Sequence, residues 1–166
     1  MMEVVVAKAD DALIIHDLAQ EIWRNTYKKI LSEEQIEFML HDMYSVASIL
    51  AQMNNGDQFL LLKKDEKISG FASFSETREP EIFKIHKLYI HPDLQGKGAG
   101  RFMILYISNV AIKQGGSILD LNVNRNNPAK DFYLRLGFSI YQSVDIEYHS
   151  FILNDYIMRK PLNVNS

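Results

Sequence analysis

The chain has 166 residues, and its 18 Lys plus Arg against 21 Asp plus Glu give a net charge of −3. That length favours one domain able to take roughly 70% of its unfolded surface out of water, and a 47% hydrophobic, 23% charged composition argues against disorder. The absence of cysteine excludes a disulfide framework, a Cys-ligated zinc and a cysteine nucleophile, and the slight acidity argues against general nucleic-acid binding. No uncharged apolar stretch approaches the roughly 18 residues of a membrane span, and the apolar run before Asp11 is too brief for a signal-peptide core. The expectation is a cytoplasmic protein with no membrane partner.

Glu3–Lys8 reads as a first strand. Asp10 or Asp11 can cap a helix to about Tyr27, in which Leu13, Ile14, Leu18, Ile22 and Trp23 lie close to helical spacing. Ser32 and Gln35 have capping-box spacing, and Ile36, Met39, Leu40, Met43, Ile49 and Leu50 continue one apolar face up to a stop at Asn54-Asn55-Gly56. Gln58–Lys63 and Lys67–Ser75 form a hairpin around Lys64-Asp65-Glu66. Glu81–His91 carries apolar residues on both faces, which suits a central strand. A glycine-rich turn at Gln95–Gly100 opens a helix that Gly115-Gly116 ends near Gln114. Ser117–Asn124 is a strand, and Pro128–Leu136 a short helix with Asn127 as N-cap. Phe138–Asp145 and Phe151–Lys160 close the chain as a strand pair. The order predicts a single α/β (α+β) domain with a mixed, mostly antiparallel sheet and one strand–helix–strand crossover.

The richest chemistry lies in Tyr89-Ile90-His91-Pro92-Asp93-Leu94-Gln95-Gly96-Lys97-Gly98-Ala99-Gly100-Arg101. A strand runs into a turn with three glycines, and the turn into a helix. Missing Cβ atoms let backbone N–H groups converge, and the helix N-terminus adds partial positive charge; both favour a phosphate. Lys97 and Arg101 can add charge-assisted contacts. A P-loop is excluded, because Gly98-Ala99-Gly100-Arg101 lacks its Gly-Lys-Ser/Thr ending. A dinucleotide fingerprint is disfavoured by the G-x-G-x-G spacing and by a position past mid-chain.

Gln95, Gly98 and Gly100 match Q/R-x-x-G-x-G/A, and the turn resembles the acetyl-CoA-binding motif of the GNAT superfamily of N-acyltransferases. Lys87-Leu88-Tyr89-Ile90-His91-Pro92 is similar to the strand before that family's pyrophosphate loop. Asn126-Asn127-Pro128-Ala129 through Phe132-Tyr133 to Leu136-Gly137-Phe138 is similar to its N…A…Y…GF segment. Ile22–Tyr27, Ser32–Gln35 and Asn154–Met158 are more loosely similar to the branch containing spermine/spermidine acetyltransferases. The fold this implies is a GNAT-like mixed sheet flanked by helices, and the activity is acetyl transfer from acetyl-CoA to a small-molecule or peptide amine.

The resemblance implies that backbone amides from Gln95 through Gly96, Lys97, Gly98 and Ala99 to Gly100 hold the pyrophosphate, with Arg101 adjacent. It implies that the pantetheine arm lies along Leu88, Tyr89 and Ile90, with a backbone N–H near Leu88 or Ile90 polarising the acetyl carbonyl. Asn126 matches a cofactor-contacting asparagine. Tyr133 matches the tyrosine that protonates the departing thiolate, a role open to a phenol with pKa about 10. Trp23, Tyr27 and Met43 fall where the family borders its acceptor. Many members hold a glutamate where this chain has Lys84, which cannot accept a proton while charged. His86, two residues on and on the same strand face, is the candidate base, with Glu81 and Glu76 as alternatives. His86 and His91 point to opposite faces and cannot share a metal without a bulge, so no metal is expected. A catalytically idle CoA-binding domain is the competing reading, and Lys84 is the feature that favours it. Paired terminal strands leave room for a homodimer. Residues 81–136 carry eight Lys or Arg against four Asp or Glu, whereas the remainder carries ten against seventeen. That split favours an anionic cofactor near the turn and, more weakly, a cationic acceptor.

Overall fold

In the computed structural model, which describes residues 1–162, β1 (Met2–Val6) leads through a 3₁₀ turn at Ala9–Asp11 into α1 (Ala12–Tyr27), α2 (Glu33–Tyr44) and α3 (Val46–Asn54). Then come β2 (Gln58–Lys64), β3 (Lys67–Glu76), β4 (Ile82–Ile90), a 3₁₀ turn at Pro92–Leu94 and α4 (Ala99–Lys113). The chain closes with β5 (Ile118–Asn124), α5 (Ala129–Arg135), β6 (Ser139–Tyr148) and β7 (Phe151–Pro161). Seven strands form one sheet in the order β1-β2-β3-β4-β5-β7-β6. β4 and β5 pair in parallel, from Ile82 with Ile118 to Ile85 with Leu121. The β1–β2, β2–β3, β5–β7 and β6–β7 pairs are antiparallel. This is the mixed, mostly antiparallel sheet that the element order predicts, with α4 as the crossover that a parallel pair requires.

The chain divides into two compact units: Met1–Ser75 with Lys87–Tyr106, and Glu76–His86 with the chain from Ile107 onward. In the first, the apolar face expected to run unbroken from Ile36 to Leu50 is split at Ser45. Its backbone is extended (φ −62°, ψ 152°), and its hydroxyl accepts from the Ser48 N–H at 3.2 Å, so it caps a new helix. Ser32 does the same for α2 through the Gln35 N–H. The β2–β3 hairpin turns on Asp65 and Glu66, both at positive φ, the mirror-image turn that matches strand twist. Leu62 then opposes Gly70 while Lys63 opposes Ile68, which leaves Ser69 as a bulge.

The first unit buries Ile15, Ile22, Trp23, Leu40 and Tyr44 from its helices with Phe59, Leu62, Phe71 and Phe74 from β2 and β3. Among these apolar groups lies the amine of Lys87, 5.3 Å from the Tyr44 ring centre and 5.9 Å from that of Phe59. Burial lowers its pKa to about 8, although the charge of Asp57 pulls the other way. In the second unit, Leu119, Leu121, Val123, Met158, Phe138 and Tyr133 are buried, and Arg159 grips Asp120 with two hydrogen bonds of 2.8 and 2.9 Å.

Lys87 carries a signature in stability. A drop from 10.5 to about 8 corresponds to a cost of about 3 kcal/mol for holding the charged form, offset by cation–π contacts worth about 0.5–2 kcal/mol each. Between pH 8 and 10.5 the unfolded chain binds the proton that the folded chain has released, so stability rises with pH across that window. Denaturant titrations at pH 7.5 and 10 should show this rise in the wild type, and Lys87→Met should lack it.

Candidate functional site

The end of β4 is fixed before the glycine turn begins. A Cβ built on Gly70 of β3 would lie 2.9 Å from the Tyr89 carbonyl oxygen and 3.0 Å from Ile90 Cδ1, so only glycine permits this approach. The His91 N–H donates to the Ser69 carbonyl at 2.8 Å. The His91 ring then caps the 3₁₀ turn: Nδ1 accepts from the Asp93 N–H at 3.1 Å, while Nε2 lies 2.8 Å from a carboxylate oxygen of Glu21 on α1. With Nδ1 accepting, the Nε2 proton donates to Glu21. Sequence reasoning weighed His91 only as a metal ligand; its position before a proline could have marked it as a cap.

Beyond Gln95, whose amide nitrogen lies 3.4 Å from the Ile90 carbonyl, Gly96 and Gly98 adopt left-handed backbone (φ 76° and 83°). No atom lies within 4 Å of a Cβ built on either. Phe102 makes the first bond of the α4 ladder by donating to the Gly98 carbonyl, so the amides of Ala99, Gly100 and Arg101 precede that ladder. Gly100 belongs to the helix itself. Lys97 and Arg101 are exposed on the same turn. Open amides at a helix start, two left-handed glycines and two cations form a cradle that fits a pyrophosphate.

Three of the residues singled out in the first unit come together. Trp23 and Tyr27 lie in α1 with ring centres 4.4 Å apart, and the Tyr89 ring is 5.9 Å from that of Trp23. The Tyr27 and Tyr89 hydroxyls are 3.0 Å apart, and Trp23 Nε1–H donates to the Tyr44 hydroxyl at 3.0 Å. Trp23 and Tyr27 are buried. The Tyr89 side chain is thus part of this ring cluster, and the strand's other offering is its backbone. Met43 is half-buried at the end of α2, and its carbonyl accepts from the Gln52 side chain.

In the second unit, Tyr133 of α5 is buried with Phe132 and Phe138 at ring-centre distances of 5.3 and 5.7 Å. The Asn127 side chain accepts from the Ala129 N–H at 2.9 Å and starts α5. Asn126 is exposed, with its N–H bound to the Asn124 side chain. Next to it, Arg125 reaches the Ser143 hydroxyl, the Val144 carbonyl and, at 2.5 Å, the Asp145 carboxylate, so this loop is clamped to β6. His86 is exposed on β4 and Lys84 half-buried. Sequence reasoning missed Asp155 on β7. Burial pushes its carboxyl above the usual range, against the pull of the Asn122 hydrogen bond and of the Lys84 and Arg125 charges. Among the described residues no helix is long and apolar enough to cross a membrane, and no three His, Asp or Glu are grouped to hold a metal ion.

Comparison with known proteins follows the same lines. Residues 27–152 match the family model described as an acetyltransferase (GNAT) domain. A spermidine N(1)-acetyltransferase of Thermoplasma acidophilum is 26% identical over 164 residues, covering 96% of each chain. The crystal structure of the PaiA N-acetyltransferase from Thermoplasma acidophilum, in complex with coenzyme A, superposes with a TM-score of 0.82 at 26% identity. That match covers 97% of this chain and 99% of the other. A GCN5-related N-acetyltransferase from Rhodopseudomonas palustris shares the fold, with a TM-score of 0.81 at 24% identity over 96% of this chain and 95% of the other.

The turn can be tested at Gly98. A side chain there meets no neighbour, so Gly98→Val should cost about 1–2 kcal/mol through backbone strain alone. Calorimetry should show coenzyme A affinity falling about tenfold or more, and unchanged affinity would remove the turn from the phosphate site.

Proposed function

Because the chain belongs to the GNAT acetyltransferase family and is an acetyl-CoA-dependent enzyme, we propose that it moves the acetyl group directly onto a primary amine. The acceptor in this reading is a small molecule such as a polyamine, or a peptide amine. The observation that carries the reading is the Gln95–Arg101 turn, with its left-handed Gly96 and Gly98 and the amides of Ala99, Gly100 and Arg101 ahead of the α4 ladder. Bound acetyl-CoA supplies the activated acetyl thioester. The chain's own groups bind, orient and move protons around it.

Lys97 and Arg101 offset phosphate charge, and the amides of Ala99, Gly100 and Arg101 donate to phosphate oxygens, whereas the Gln95 and Lys97 N–H groups are taken by the Pro92 and Leu94 carbonyls. Leu88 and Ile90 lie past the last β4–β5 pair at Ile85–Leu121, which supports their backbone N–H groups as donors to the carbonyl oxygen where negative charge develops. Tyr133 holds a proton on its hydroxyl for the departing sulfur; a phenol keeps that proton at neutral pH until a stronger base forms. His86, exposed on β4, takes the proton of the attacking amine through water. Asn126 adds a polar contact to the cofactor, from a loop that Arg125 fixes. Trp23 and Tyr27, buried as they are, shape the acceptor side through the ring cluster, and Met43 borders it. The reading has a cytoplasmic setting, no nucleic-acid or membrane partner, and a β6 edge open to a second copy.

Tyr133→Phe separates this chemistry from packing, since it keeps the ring against Phe132 and Phe138 and removes only the hydroxyl. Steady-state thiol release should show kcat lowered about a hundredfold or more, with acetyl-CoA affinity little changed. An unchanged kcat would remove Tyr133 as the acid.

A further inference from the structure

The registers of the second unit align a row of polar side chains on one face of the sheet. Lys84 of β4 stands beside Asp120 of β5, Asp120 opposes Arg159 of β7, and Asn124 opposes Asp155. Asn122, two residues from either Asp120 or Asn124, shares that face. Asp120 is fully engaged by Arg159. Asp155 is not. Its Oδ2 accepts from Asn122 Nδ2 at 3.3 Å, while among the described residues no hydrogen bond reaches its Oδ1. The Oδ1 of Asn122 is buried and also lacks a partner among the described residues.

We propose that this pair recognises the protonated amine of the acceptor: Asp155 Oδ1 and Asn122 Oδ1 accept two N–H groups of a primary ammonium. The proposal rests on the acetyltransferase reading above and names the chain's side of acceptor binding. Two neighbouring acceptors, one of them a carboxylate, select a cation rich in N–H groups over an anion. An ammonium offers three such groups. A buried acceptor left unmatched is costly, and a bound N–H donor would offset that cost.

Neighbouring charges leave the site available. Arg125 is committed to Ser143, Val144, Asp145 and Asn154, and touches Asp155 only at its backbone carbonyl. β6 presents Val144 opposite Asp155. Lys84 acts on the carboxylate through charge alone, as a competing cation held by the chain itself. The ionised carboxylate is the binding form. Acceptor binding therefore weakens on acidification, at a pH above the ordinary carboxylate range because Asp155 is half-buried.

Steady-state kinetics with spermidine and with butylamine, across pH 5 to 9, test the assignment in two variants with opposite expectations. Asp155→Asn should raise the amine KM about tenfold or more, leave the acetyl-CoA KM unchanged and flatten the acid limb of the amine KM, while kcat keeps the acid limb that His86 gives it as base. Lys84→Met should lower the amine KM and move its acid limb to higher pH, a result that a merely structural role for Asp155 would not produce. Amine turnover in which Asp155→Asn keeps the wild-type KM and acid limb, or in which Lys84→Met raises the amine KM, overturns the proposal. A wild-type protein that binds acetyl-CoA and acetylates neither amine overturns the function beneath it, and the proposal with it.

Discussion

The approach of Gly70 to the Tyr89 carbonyl governs how β4 ends. The Ser69 bulge brings a residue without a side chain against the last peptides of β4, and the Ser69 carbonyl then takes the His91 N–H. That bond sets where the strand stops. From it follow the His91 cap on the 3₁₀ turn, the reach of its ring to Glu21, and the direction in which Gly96 and Gly98 turn the chain into α4. A side chain at position 70 would push the strand end away, and the amides at the start of α4 would move with it. Precision at the anion cradle thus originates two strands earlier, in backbone packing.

The same strand divides its duties by face and by atom. Tyr89 gives its ring to Trp23, Tyr44 and Phe71, which locks β4 against α1 and α2. Lys87, on the same face by alternation, is held between the Tyr44 and Phe59 rings at a cost in its charged form. On the other face, Lys84 stands beside Asp120 of the polar row. Burial of one face holds the strand, and the second face carries Lys84, half-buried, and His86, exposed.

Much of this was legible in the sequence, for identifiable reasons. Glycine, proline and serine act locally, so the stop at Asn54-Asn55-Gly56 falls where it was read, α5 starts one residue later, at Ala129, and the glycine turn ends early because α4 already begins at Ala99. The break at Ser45 was missed because the apolar spacing continued across it, and the serine's role as a cap depends on a backbone angle that spacing does not report. The Ser69 bulge, the His91–Glu21 contact and the burial of Lys87 depend on partners tens of residues away. Asp155 lies in the segment similar to the spermine/spermidine branch but was given no role, because its raised pKa and its Asn122 partner arise from strand register, and register appears only when β5 and β7 pair.

The first unit carries an anion cradle built from backbone, and the second a polar face with a half-buried carboxylate. The central claim is that the chain transfers acetyl from acetyl-CoA to a primary amine. The most direct measurement is mass-spectrometric detection of acetylated product across an amine panel, run beside thiol release and coenzyme A calorimetry. The account predicts coenzyme A binding, and one acetylated amine formed for each thiol released. Tight coenzyme A binding with no acetylated amine from any member of the panel would contradict it.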